Sequence, residues 1–303
     1  MECSGNLRII DLHVHSNASD GSLSPRELAL RAQGLGLAAF AITDHDTLDG
    51  VRALQDAGLP AGLHFLPGIE ISASAHQDFP CFGSMHILGY GIRSSCPELQ
   101  AQLDRLQAAR RCRTPQILAR LNALGIAMTM EEVCAICEEG QVGRPHIAQA
   151  LVRKGVVADI DQAFERLLGT GKPAYVDKYR IPCQKALDII REAGGLAVLA
   201  HPALIKPQGS WQLKDLVARL STEGLQGLEV FYPGHSPAQT RIFQQLAQRY
   251  GLLVSGGSDF HGEVTPGIEM GLGRGDLCVP FEIFERLTEA LASNRSPGNA
   301  ESL

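Results

Sequence analysis

Strand-like runs in this chain end, one after another, on histidines and carboxylates. That recurrence constrains the fold more than any other feature of its 303 residues. Leu7-Arg8-Ile9-Ile10 opens onto Asp11-Leu12-His13-Val14-His15, with Asp20 just beyond. Side chains alternate along a strand, so His13 and His15 share a face. Two imidazoles with a nearby carboxylate suit a divalent metal that takes mixed nitrogen and oxygen ligands. Six more runs follow: Ala38–Ile42 before Thr43-Asp44-His45-Asp46, His64–Ile69 before Glu70, Met85–Tyr90 carrying His86, Leu196–Ala200 before His201-Pro202, Gly227–Phe231 before a loop with His235, and Leu252–Ser255 before Gly256-Gly257-Ser258-Asp259-Phe260-His261.

Helix signals fall between the strands. Ser24-Pro25-Arg26-Glu27-Leu28 reads as a helix start, with Ser as cap and Pro in the first turn, and the helix ends near Gly34 or Gly36. Thr47–Ala57 is the next helix. Alternating β and α predicts parallel strands with covering helices, and ligands that converge from strand ends predict a closed barrel with its site at one mouth. Between Ser94 and Pro182 the alternation stops. Four helices are expected there, about Pro97–Leu124, Met130–Glu138, Pro145–Lys154 and Asp161–Leu168. The expected organisation is α/β, with a discontinuous barrel domain over 1–94 and 181–303 and a helical cap over 95–180. The cap carries a net charge of +2 against −8 for the remainder, which suits an anionic substrate over an acidic, metal-binding bowl. The tail Ser293–Leu303 is expected to fray.

A hydrophobic content of 45% and charge of 20% describe a soluble globular chain. No apolar run is long enough to cross a membrane. The first residues lack a basic segment followed by an apolar core, so signal-peptide export is not expected. The eight cysteines are scattered. The lone Cys134-Ala135-Ile136-Cys137 is read as ordinary helix, and reduced thiols place the chain in the cytoplasm. A formal charge of −6 argues against extensive nucleic-acid binding but not against a small phosphorylated substrate.

The stretches DLHVHS with Asp20, ITDHD, PGIEIS, HILGYG, AHP and GSDFH resemble the PHP (polymerase and histidinol phosphatase) phosphoesterases, from about Arg8 to Arg274. Gly143-Arg144-Pro145-His146 and Gly171-Lys172-Pro173-Ala174-Tyr175 resemble the subgroup acting on 3′,5′-nucleoside bisphosphates and on short RNA 5′ ends. The resemblance implies a distorted seven-stranded barrel, and the strand count agrees. It also implies three divalent ions, with Mn, Fe and Zn all permitted by the ligand types. One ion takes His13, His15, Glu70 and Asp259. A second takes Glu70, His86 and His201, with Glu70 bridging. A third takes Asp20, His45 and His261. By the same resemblance, a hydroxide held by Glu70, His13, His15, Asp259 and His261 attacks phosphorus in line.

His76 competes with His86 as the ligand after Glu70, but its polar loop reads as solvent-facing. Asp11, Asp44 and Ser258 adjoin ligands and would orient imidazoles. Asp46 and Asp49 read as helix-start residues, and His64 as structural. Arg144, at a helix N-terminus, is the leading substrate-phosphate contact, with Lys178 and His235 as further candidates. His146 serves equally well as a cap. A histidinol-phosphate-type phosphatase, an amidohydrolase-like C–N or C–O hydrolase and a non-catalytic barrel are the competing readings. No lysine stands at a strand end for the second of these, and no ligand is missing as the third would require.

Overall fold

The computed structural model describes residues 8–82, 85–136, 142–177 and 179–295. In chain order the elements are β1 (Ile10–Val14), α1 (Pro25–Gly34), β2 (Ala39–Ile42), α2 (Asp49–Ala57), β3 (His64–Ser74), β4 (Cys81–Phe82) and β5 (Met85–Tyr90). There follow α3 (Pro97–Ala123), α4 (Met130–Cys134), α5 (Arg144–Arg153) and α6 (Ile160–Ala163), the last running into a π-helical turn over Phe164–Leu168. The chain ends with β6 (Ile181–Pro182), α7 (Cys183–Glu192), β7 (Leu196–Leu199), β8 (Lys206–Pro207), α8 (Leu213–Thr222), β9 (Gly227–Phe231), α9 (Pro237–Tyr250), β10 (Leu253–Gly256) and α10 (Phe281–Arg295).

Seven strands form the sheet in the order β1-β2-β3-β5-β7-β9-β10, with two-residue β6 alongside β3. β1 and β10 meet through the loop after β10. Val14 bridges Phe260, the His15 amide donates to the Phe260 carbonyl at 2.9 Å, and the Asp259 amide donates to the His13 carbonyl at 2.8 Å. These contacts make the sheet a nearly closed barrel.

The sheet departs from expectation in one respect. The strands are not all parallel: β5 runs antiparallel to β3 and to β7, while the other barrel pairs are parallel. A short connection without a helix joins β3 to β5, and such a link can only reverse the chain. The reversal has a functional consequence. His86 sits near the start of β5, which in a parallel strand would be the far end of the barrel. Running antiparallel, β5 pairs His86 with Ser72 and Leu88 with Glu70, so His86 arrives at the mouth.

Local chemistry explains the helix starts. Ser24 Oγ accepts from the Glu27 amide at 3.3 Å while Glu27 accepts from the Ser24 amide at 2.8 Å, the reciprocal box read from the sequence. The second helix begins two residues later than expected, because the Thr47 hydroxyl accepts from the Asp49 amide at 3.1 Å and so stays outside it.

Two buried clusters hold the barrel. One packs Phe40, Ile42, Ile69 and Ile87 against α1, α2 and α7. The other joins Ile10, Leu12, Ala41, Leu66, Tyr90 and Val198 to Leu287 and Leu291 of α10. A third cluster is confined to the helical segment: Ile117 and Leu121 of α3 pack with Val133, Ile147, Leu151 and Leu168. The first half of α3 (Leu99, Leu103, Leu106) belongs instead to the barrel's cluster. At about 25 cal/mol per Å² of apolar surface removed from water, these clusters dominate the stability of both regions.

Among the described residues no helix is long and apolar enough to cross a membrane. Cys81, Cys96, Cys112, Cys134 and Cys183 are free, but Cys278 is disulfide-bonded, contrary to the expectation of reduced thiols. Lys178 and Cys137 lie outside the described residues. Of the tail, Ser293, Asn294 and Arg295 continue α10, and 296–303 lie outside them.

Candidate metal centre

All nine histidines and carboxylates read as ligands converge at the barrel mouth. Among the described residues, three groups each bring ligand atoms within 4.8 Å of one another: His13, His15, Glu70 and Asp259; His15, Asp20, His45 and His261; and His45, Glu70 and His86. Glu70 is the hub. Its Oε2 lies 3.5 Å from His13 Nε2, 3.3 Å from His15 Nε2 and 2.9 Å from His45 Nδ1. Its Oε1 lies 2.8 Å from His86 Nδ1 and 2.9 Å from His201 Nε2. Five imidazoles therefore meet one carboxylate. The grouping differs from the expected one in two members: His45 stands with Glu70 and His86 where His201 was expected, and His15 joins Asp20, His45 and His261. His201 contacts both Glu70 and His86, the latter at 3.3 Å. His76 is 7% exposed and sits 3.2 Å from Glu223, so it is neither solvent-facing nor beside Glu70.

Asp259 Oδ1 completes the first group, 3.4 Å from His13 Nε2 and 3.2 Å from His15 Nε2. Asp20 Oδ1 lies 3.4 Å from His261 Nε2. Burial works against charge at Glu70, Asp20, Asp259, His15 and His86. At Glu70, Asp20 and Asp259 the surrounding imidazoles outweigh it and hold the carboxyls well below their usual range. At His15 burial is likewise overcome, by Asp259 and Glu70, and the pKa rises to about 10. At His86 burial prevails and the pKa falls to about 3.

Several of these atoms have no hydrogen-bond partner. His13 Nε2, both ring nitrogens of His15, His45 Nδ1, Asp20 Oδ1 and Glu70 Oε2 are buried and unsatisfied. Each such group costs about 1–3 kcal/mol when left unpaired. Their convergence on shared points, with mixed nitrogen and oxygen donors, fits divalent cations.

The supports of the site were only partly read from sequence. Asp11 Oδ1 accepts from the Ser258 amide at 2.9 Å and the His13 amide at 3.2 Å, and Asp11 Oδ2 accepts from the Ser258 hydroxyl at 2.5 Å and the Gly271 amide at 2.7 Å. Asp44 accepts from the Ser16 amide and from the Ser16 and Ser19 hydroxyls. These groups therefore fix loops rather than imidazoles. The imidazole partner is Glu229, which sequence reading passed over: it is fully buried, accepts from His13 Nδ1–H at 2.8 Å and from the His201 amide at 2.5 Å. Donation from Nδ1 leaves Nε2 of His13 free to face Glu70 and Asp259. The signal was a charge inside the apolar strand Gly227–Phe231.

Asp46 is no helix-start residue. It is fully buried at φ 56° and accepts from the Ser72 amide at 2.7 Å and from Arg110 Nε at 2.9 Å. Asp49 does open α2. His64 is exposed, with its ring 5.6 Å from Phe281 and 5.5 Å from Phe284. His146 caps α5 by accepting from the Gly143 amide at 3.0 Å.

Above the cluster lies a cavity of about 390 Å³. Its floor includes Asp20, His45, His86, His201 and His261, and its wall includes Arg110, Arg113 and Arg144. Arg144 starts α5, as expected, and donates to the Leu168 carbonyl at 3.2 Å. Arg113 donates through Nε to the Val176 carbonyl at 2.7 Å, while its buried Nη2 has no partner. Burial, then the Arg144 guanidinium, pushes the Arg113 pKa down. Neither Arg110 nor Arg113 was singled out in the sequence. His235 is 9% exposed, donates to the Val230 carbonyl at 2.9 Å, and packs behind Tyr232 rather than on this cavity.

Comparison with known proteins agrees with this geometry. Residues 11–180 match the PHP domain family. The chain is 36% identical over 263 residues to the 3′,5′-nucleoside bisphosphate phosphatase of Chromobacterium violaceum, covering 86% of this chain and 90% of that protein. It is 35% identical over 251 residues to a 5′-3′ exoribonuclease of Haemophilus influenzae, covering 83% and 89%. A crystal structure from Bifidobacterium adolescentis, described provisionally as a metal-dependent phosphoesterase, superposes with a TM-score of 0.80 at 31% identity over 92% of this chain and 95% of that one. A family match over more than half of the chain, with relatives aligned along most of their length, means that this chain belongs to the PHP domain family.

Proposed function

We propose that this protein removes the 3′-phosphate of nucleoside 3′,5′-bisphosphates, and that the same site trims short RNA from its 5′ end. In reaction class it is a hydrolase of phosphoester bonds. The observation that carries the finer reading is the composition of one cavity: metal-capable residues on the floor and three arginines on the wall.

The proposed ligands are His13, His15, Asp20, His45, Glu70, His86, His201, Asp259 and His261, in three groups joined by Glu70. The unsatisfied donor and acceptor atoms described above support that set. Bound there, divalent cations supply the Lewis acidity that neutralises a phosphoryl group and activates water. Mn, Fe and Zn all accept such ligands. Glu70, His13, His15, Asp259 and His261 surround the place where the phosphoryl group would react. Glu229 keeps His13 in the tautomer that faces inward.

A bisphosphate needs two grips. The floor holds the phosphate being cleaved, and Arg144 and Arg113 would hold the other through charge-assisted hydrogen bonds. Arg110 is committed to Asp46 and contributes charge from behind. Residues 95–180 act in this reading as a cap that brings the cationic wall over the barrel. A histidinol-phosphate-type substrate carries one phosphate and leaves that wall without a partner. A C–N hydrolase has no use for it.

Phosphate release with Mn²⁺ across nucleoside bisphosphates, histidinol phosphate and short 5′-phosphorylated RNA tests the proposal. The highest kcat/KM is expected for a 3′,5′-bisphosphate. A preference for histidinol phosphate would overturn it.

A further inference from the structure

A second cavity, of about 810 Å³, adjoins the arginine-lined one beside the metal-capable cluster. It shares Leu204, Val264 and Thr265 as walls with the arginine-lined cavity. Asp259 borders it directly. That carboxylate turns Oδ1 toward His15, at 3.2 Å, and takes the Tyr232 hydroxyl on Oδ2, at 3.3 Å. Both cavities therefore reach the metal-capable cluster.

We propose that this larger cavity holds the nucleoside attached to the far side of the scissile phosphate, one unit downstream in a 5′-phosphorylated RNA. The inference rests on the phosphoesterase reading of the site. In a 3′,5′-bisphosphate the leaving 3′-oxygen belongs to the nucleoside in the arginine-lined cavity, and nothing hangs from the other phosphoryl oxygens. In a dinucleotide one of those oxygens carries the next nucleoside. That group needs space beside the reacting position outside the arginine-lined cavity, and the adjoining cavity that Asp259 borders supplies it.

The wall chemistry fits a nucleoside better than a run of phosphates. Val152, Ile160, Pro233 and Pro266 are apolar, and Tyr232 adds an aromatic ring. Arg153 and Arg274 are offset by Asp159, Asp161 and Glu263, so the cavity lacks the net positive charge of a long nucleic-acid track. On the shared wall, the Thr265 hydroxyl is buried with no hydrogen-bond partner. It is available to a ribose or phosphoryl oxygen that spans the two cavities. Both substrates undergo the same bond change. The oxygen of water bonds to phosphorus, the bond from phosphorus to the 3′-oxygen breaks, and the 3′-oxygen takes a proton. One product has a free 3′-hydroxyl. The other is inorganic phosphate from the bisphosphate, or a nucleotide with a new 5′-phosphate from the dinucleotide.

The test fills the cavity from two sides. Ala158 and Arg274 both line it and are exposed, so Ala158→Trp and Arg274→Trp intrude on the space without disturbing the core. The probes are a 5′-phosphorylated dinucleotide and the 3′,5′-bisphosphate of its first nucleoside. Both variants should lower kcat/KM on the dinucleotide about ten-fold or more, the scale of losing one stacked base, and leave the bisphosphate unchanged. Equal effects on the two substrates, no effect on the dinucleotide, or no dinucleotide cleavage by the unmodified enzyme would overturn the inference while the bisphosphate activity stands. Failure of the unmodified enzyme on both substrates would overturn the phosphoesterase reading itself.

Discussion

The barrel mouth and the arginine-bearing wall face one cavity, yet they are constructed differently. At the mouth the backbone sets positions. Asp46, His201 and Asp259 adopt positive φ without being glycine, a conformation that costs about 1–3 kcal/mol each and persists only where the surroundings enforce it. Gly257 lets the last loop lie against the first strand; a Cβ there would fall 2.3 Å from the His13 amide nitrogen. Short side chains on a strained, hydrogen-bonded frame give a fixed set of donors. The wall is made by long side chains on helices, Arg110 and Arg113 from α3 and Arg144 from α5. Their reach can adjust to what is bound. Fixed geometry suits metal ligation and adjustable charge suits substrate recognition, so chemistry and selectivity should separate by region. Contacts from α3 couple them: Arg110 pairs with Asp46 of the barrel at 2.9 Å and donates to the Ser72 hydroxyl, and Gln107 donates to the Asp46 carbonyl.

The largest effect should come from the hub of the mouth. Glu70→Ala removes the carboxylate shared by five imidazoles and should cut kcat by several orders of magnitude on every phosphoester tested, as should a chelator. His64→Ala, on the same strand but turned to Phe281 and Phe284, should leave kcat intact. If the two variants lose similar activity at equal folded fraction, strand position alone explains nothing and the separation by region collapses.

The histidines were legible because the strand period and the repeated placement at run ends are both written in the sequence. The seven strands and the helical segment followed from the same alternation. The direction of β5 was not legible, since an apolar run has the same pattern whichever way it points, and so the route that brings His86 to the mouth was hidden. Glu229 escaped because a carboxylate in an apolar strand is read against the hydrophobic average rather than as the partner of a histidine 216 residues away. Arg110 and Arg113 were lost among the charges of α3, where a solvated face and a substrate wall have the same composition. Asp46 was misassigned for a related reason. Asp before a helix reads as a cap, and only tertiary contact with Ser72 and Arg110 shows its other use.

The next effect belongs to the wall. Arg144→Ala should lower kcat/KM on a 3′,5′-bisphosphate about 10- to 150-fold, the kinetic equivalent of roughly 1.5–3 kcal/mol for a charge-assisted contact. An aryl phosphate, which has no second phosphate, should be hydrolysed at an unchanged rate. Equal losses on both substrates would move Arg144 from the reading of substrate to the support of the mouth.

The smallest of the three effects sharpens the comparison from below the mouth. Glu229 touches no substrate, and its two oxygens serve two different donors, His13 Nδ1–H and the His201 amide. Glu229→Gln keeps the shape of the side chain but turns one of those oxygens into an amide nitrogen. That nitrogen must then face a donor, either displacing the His13 ring or pushing the His201 loop. It also removes the negative charge that favours proton donation from Nδ1. The expected result is a loss of about 10- to 100-fold in divalent-cation affinity, the usual scale for removing the partner of a ligating histidine, measured by calorimetric titration with Mn²⁺. Because the wall is untouched, the ratio of bisphosphate to aryl phosphate activity at saturating metal should stay where it was, unlike in Arg144→Ala. Unchanged affinity would show that His13 needs no such partner. A changed substrate ratio would show that the frame beneath the metals also reads the substrate, and the two regions would then have to be treated as one.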